Sequence, residues 1–141
     1  MDFYFTLTSN EKLKEISTPV TIACGDDYCD ITSRPQHSCN AIWDTGATSS
    51  MISRRIAEQL KLHSIGKAHI SGVHGVVETD IYIIDIVFGN GFTISGLRVS
   101  EADNGGGFDV LIGMDVIGHG RLIVDGTGEM SEVFFAFPAD N

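Results

Sequence analysis

Short apolar runs of strand length, separated by glycine-rich or polar turns, dominate the chain. Phe3, Phe5 and Leu7 alternate with polar residues over 1–8 and predict an edge or interface strand, followed by a charged connector over 10–15. Strands predicted at 20–24 and 38–43 flank a cysteine-bearing insertion from Gly25 to His37. Positions 81–88 are apolar on both parities except Asp85, the pattern of a strand covered on both faces, and Phe88-Gly89-Asn90-Gly91-Phe92 turns it back. Phe92 and Ile94 share a parity that Leu97 and Val99 do not, so a β-bulge is expected at Ser95-Gly96. A polar, glycine-rich loop follows over 101–107.

The short segment after Gly113 can turn helical, and the best helix candidate is 53–60. There Ile52, Ile56 and Leu60 share a face and Ser53 is placed to cap, although Arg54 and Arg55 oppose the helix dipole. Toward the C-terminus, Leu122-Ile123-Val124 predicts a strand ending in the turn Asp125-Gly126-Thr127-Gly128. Val133-Phe134-Phe135-Ala136-Phe137 is apolar on both faces, as a central strand or an intersubunit strand would be. With no repeat or linker, residues 1–141 are expected to form one all-β domain, a closed barrel with one or two short helices.

Composition narrows the class. With 43% hydrophobic and 20% charged residues the chain can build a core, and 16 glycines suit a turn-rich β protein. A net charge of −10 argues against nucleic acid as a partner. No apolar run approaches the length of a membrane span and no basic leader precedes one, so a cytoplasmic protein with no membrane partner is expected. Cys24, Cys29 and Cys39 lie near His37, but their spacing fits none of the paired zinc patterns. Free thiols and no metal are expected, with Cys24 and Cys39 as strand residues.

The chemistry concentrates at Asp44-Thr45-Gly46, entered from Ala41-Ile42-Trp43 and left through Ala47-Thr48. A carboxylate at the end of a buried strand can serve as general base toward water. A second, protonated carboxyl is then needed to donate to a peptide carbonyl. Two carboxyls about 3 Å apart cannot both ionise, so such a pair holds one proton and titrates as a unit. Gly46 allows close backbone approach, and the Thr45 hydroxyl can both donate and accept. The chain has no second Asp-Thr-Gly, and 141 residues make one compact domain. A two-fold homodimer would bring two copies of Asp44 together.

Asp44-Thr45-Gly46, the later run Val110-Leu111-Ile112-Gly113-Met114-Asp115 and the intervening Ser71-Gly72-Val73-His74-Gly75-Val76 together resemble the retropepsin-like aspartic proteases, over about residues 20–126. The resemblance implies that Asp44 is the catalytic aspartate, that Thr45 locks two active-site loops together and that Gly46 contacts substrate through its backbone. It implies a glycine-tipped flap hairpin, with Gly72, Val73, His74 and Gly75 at its tip and, with Ala47, available to substrate. The implied activity is cofactor-free endopeptidase action by a homodimer on polypeptides with apolar residues near the cut. The long N-terminal segment, the insertion and the phenylalanine-rich tail depart from a minimal member, and 1–19 and 127–141 are candidate interface strands. A non-catalytic binding or dimerisation module on the same fold is the alternative. Asp115 is expected to cap a short helix or pair with an arginine, and Trp43 to pack in the core or wall a pocket. His74 is expected to be an exposed turn residue unless it touches substrate.

Overall fold

A computed structural model describes residues 3–25, 34–72, 75–89, 91–102 and 107–137. Ten strands and two short helices follow one another: β1 (Phe3–Ser9), β2 (Ile16–Cys24), β3 (Gln36–Trp43), β4 (Met51–Ser53), α1 (Arg54–Gln59), β5 (Gly66–Gly72), β6 (Gly75–Phe88), β7 (Thr93–Ala102), β8 (Val110–Ile112), α2 (Met114–Ile117), β9 (Arg121–Asp125) and β10 (Ser131–Phe137). One sheet has the order β2-β3-β8-β4-β7-β6-β5, and an added β2–β6 pairing closes its first six strands into a barrel. The second sheet has the order β1-β10-β9. The all-β barrel expected from the sequence is therefore the fold.

Closure draws on the residues with the strongest β-preference. Ile22, Ile84, Ile86, Val110 and Ile112 are fully buried inside the barrel, joined by Ile56 from α1. β6 is buried from Ile81 to Ile86 because β2 and β7 flank it. Pro19 is tolerated within β2 because β6 pairs only from Val20 onward; at Pro19 the only ladder partner is Asn40 of β3, and a missing N–H leaves no gap on the other side.

The expected bulge is present at the expected place. Ile84 pairs with Leu97 and Ile86 with Ile94, so Ser95 and Gly96 together face Asp85 alone. Gly96 takes φ +70° and donates its N–H to Asp85 Oδ1 at 2.9 Å. The other carboxylate oxygen meets Arg34 Nη1 at 2.8 Å, which accounts for the one charge within the apolar run 81–88.

Ser53 also behaves as predicted, its Oγ accepting from Ile56 N at 3.2 Å. The two arginines that oppose the dipole of α1 are met by acids, Arg54 by Glu101 at 3.2 Å and Arg55 by Asp109. Trp43 resolves to core packing. It is 5% exposed, donates Nε1–H to Thr18 Oγ1 at 2.8 Å and packs against Phe135 and Phe5 with ring centroids 4.8 and 5.2 Å apart. It thus pins the three-stranded sheet to the barrel. Of the two alternatives for 133–137, the central strand holds, since β10 has β1 on one side and β9 on the other.

Candidate active site

β3 carries the chain to Asp44. The pair β3–β8 is parallel, with Trp43 opposite Ile112, and the Asp44 N–H continues that ladder by donating to Ile112 O at 2.9 Å. β8 lies between β3 and β4, so residues 44–50 must arch over its end to reach Met51. The arch is tight. Gly46 N donates to Asp44 Oδ1 at 2.8 Å, and Ala47 N to Asp44 O at 3.2 Å. One carboxylate oxygen is thereby aimed, while Oδ2 accepts no hydrogen bond among the described residues. Asp44 is half-buried, and Thr45 and Gly46 are exposed.

Gly46 has a steric reason as well as a polar one. A Cβ there would sit 3.1 Å from Asp44 Oδ1. Gly46→Ala is therefore expected to swing the carboxylate and lower kcat about 10- to 100-fold, the scale on which small misplacements act, with thermal unfolding little changed. Steady-state kinetics beside a melting curve checks both halves.

The underside of the arch is held by residues whose role the sequence did not reveal. Ser50 is fully buried; its N–H donates to Asp115 Oδ2 at 2.9 Å and its hydroxyl to Asp115 Oδ1 at 2.7 Å. Ser50 Oγ in turn accepts from Gly113 N at 3.1 Å, and Met114 N donates to Ala47 O at 2.8 Å. A Cβ on Gly113 would lie 2.8 Å from both Ala47 O and Ser49 C, so only glycine lets α2 start directly beneath the arch. Asp115 meets one of its two expectations: its Oδ1 also accepts from Val116 N in the first turn of α2 at 3.0 Å, whereas no arginine pairs with it among the described residues. Gly113 is the N-cap residue of α2, and the carboxylate inside its first turn ties α2 to the loop as well. With both oxygens engaged by Ser50, Asp115 has no geometry for serving as a second catalytic carboxyl.

The flap hairpin is seen in its arms. Gly72 pairs with Gly75 and Ser71 with Val76, and residues 75–80 of β6 pair only with β5, beyond the barrel wall. Gly75 takes φ +110°, a turn conformation that favours glycine. Val76 and Val77 are exposed on this arm. Val73 and His74, expected at the tip, lie outside the described residues, as does Cys29. Cys24 and Cys39 are strand residues of β2 and β3, as expected. Burial and the nearby Asp109 push the Cys39 thiol up to about 11, which suits packing rather than reaction. Among the described residues no helix is long and apolar enough to cross a membrane.

Comparison with known proteins follows the same geometry. A family model described as aspartyl protease matches residues 29–116. Among solved structures, EIAV protease complexed with the inhibitor HBY-793 is similar at 28% identity, covering 72% of this chain and 84% of that one with a TM-score of 0.50. The retroviral protease-like domain of Ddi1 from Leishmania major is similar in fold at 19% identity, covering 92% of this chain and 100% of that one with a TM-score of 0.53. No curated protein matches the chain.

Proposed function

Since the chain belongs to the aspartyl protease family and has the retropepsin-like fold, we propose that it is an aspartic endopeptidase whose active site forms between two copies of the chain. The observation that carries this is the state of Asp44. One oxygen is fixed by the Gly46 N–H, the other makes no hydrogen bond among the described residues, and the side chain is open to solvent at the end of a closed barrel. That arrangement suits a group that must meet both a partner carboxyl and a water molecule.

The chemistry needs both carboxyls in alternate roles. One Asp44 takes a proton from water as the oxygen attacks the peptide carbonyl, and the protonated Asp44 of the second copy donates to the carbonyl oxygen. Collapse of the tetrahedral species breaks the C–N bond. The nitrogen leaves with a proton, giving a carboxylic acid and an amine with no acyl-enzyme. In this reading Thr45, exposed beside Asp44, hydrogen-bonds its counterpart across the two-fold. The exposed valines of the β6 arm, Val76 and Val77, favour an extended peptide with apolar side chains, bound by strand-like pairing.

Dilution tests the shared site. Specific activity on a mixed peptide library is expected to be constant at high protein concentration and to fall in proportion to concentration below the dimer dissociation constant. Activity independent of dilution, from a species that sediments as a monomer, would overturn the two-copy site. An intact dimer that cuts nothing in the library at any pH would instead favour the non-catalytic module.

A further inference from the structure

The three-stranded sheet ends on an unusual edge. β9 pairs with β10 on one side and, among the described residues, with no strand on the other. Its centre is apolar on both faces and exposed, Ile123 by 46% and Val124 by 57%, whereas its ends carry Arg121 and Asp125. Exposed apolar edges invite pairing with another chain, and soluble proteins ordinarily blunt them. The opposite edge of this sheet does not compete. β1 carries no charged residue to set a register with a second copy, and its Phe5 and Leu7 line a cavity of about 520 Å³ together with Thr18, Pro19 and Phe88 of the barrel.

We propose that β9 is the strand through which two copies associate, pairing antiparallel with β9 of the second copy about Ile123 to make one continuous six-stranded sheet. The register follows from symmetry and charge. A two-fold axis perpendicular to the sheet keeps every residue on its own face, so the pair can be centred on Leu122, Ile123 or Val124 but not between residues. Centring on Leu122 sets Arg121 against Ile123, and centring on Val124 sets Ile123 against Asp125. Centring on Ile123 sets Arg121 against Asp125 twice, Leu122 against Val124 twice and Ile123 against itself. The segment Arg121-Leu122-Ile123-Val124-Asp125 is therefore complementary to its own reverse.

Two further features fit this occupant. Hydrogen bonds from Thr127 hold the Asp125 carboxyl below the usual carboxylate range and engage only Oδ1, so an ionised oxygen is left for Arg121 of the second copy. β9 also starts four residues after the end of α2, the helix that Gly113, Ser50 and Asp115 fasten to the Asp44 arch. An axis at Ile123 is thus linked through α2 to the loop that needs a second copy. The proposal rests on the two-copy reading of the active site and adds the surface that builds it.

A charge-exchange experiment tests it, read as mass by sedimentation equilibrium. Arg121→Asp places like charges opposite each other at both ends of β9, as does Asp125→Arg, and each alone is expected to raise the dimer dissociation constant at least about tenfold. Mixing the two variants should restore association as a heterodimer, because both facing pairs are then opposite in sign. The double variant should restore the homodimer. Rescue in the mixture also separates lost pairing from lost folding, since an unfolded Asp125→Arg chain would rescue nothing. Wild-type association by both single variants, or weakened association with no recovery on mixing, would overturn the proposal. Failure of the protease reading looks different: the exchange pattern would hold while no peptide is cut.

Discussion

Asp44→Asn is expected to lower peptide hydrolysis by about 10,000-fold, the upper range for loss of a general acid–base group, with fold and association unchanged. The structural half follows from the local bonds. Asparagine keeps an Oδ1 to accept from Gly46 N, and the Asp44 N–H bond to Ile112 O involves no side chain. The chemical half follows from what asparagine lacks, a group able to take a proton from water. A mixed dimer with one altered subunit should be as inactive as the homodimeric variant, because each site uses both copies. Residual cleavage above the level of a mock preparation, with the variant confirmed by mass, would end the assignment of Asp44.

Loss of the carboxylate beneath the arch should be nearly as severe by another route. Asp115→Ala leaves the Ser50 N–H and hydroxyl without their acceptors at a position with no solvent access. Abandoning buried donors costs about 1–3 kcal/mol each, so a fall in unfolding free energy of about 2–4 kcal/mol is expected together with a marked fall in kcat. Asp115→Asn offers one oxygen to Ser50 N while its amide replaces the acceptor of the Ser50 hydroxyl, and should fall between. Denaturant melts and kinetics on the same preparations check both effects. Unchanged stability in Asp115→Ala would show that Ser50 finds other partners and that α2 does not hold the loop.

The two predictions draw on residues of very different visibility. Asp44-Thr45-Gly46 is contiguous, and each member has a chemical reason to be there, so sequence alone could single it out. The Ser95-Gly96 bulge and the Ser53 cap were equally local, one marked by a break in parity and the other by a hydroxyl ahead of a helical face. Ser50 and Asp115 stand 65 positions apart. Nothing in either neighbourhood announces the other, and Asp115 in a short helical segment points only to its bond with the first turn of α2, not to the loop it also holds. The same limit hid the parallel pairs β3–β8 and β4–β7, which join distant three-residue segments with too little periodicity to declare a partner. The self-complementary order of β9 was present in the sequence as well, but it acquires meaning only once β10 is seen to occupy its other edge.

The ladder between β1 and β10 joins the first described strand to the last. Phe3 and Phe137 are paired Cα partners, so the first and last described residues face each other across one rung, about 5 Å apart. That rung closes the longest loop the described chain contains. Loop-closure entropy grows only logarithmically with length, so the native state bears the contact at modest cost. Its effect is on order of assembly instead. β10 can complete its pairing only once β1 is in place, and β9 depends on β10 for its inner partner. Removing β1 or β10 therefore strikes the same three strands, and a chain emerging from synthesis cannot present a finished β9 edge until β10 has been made.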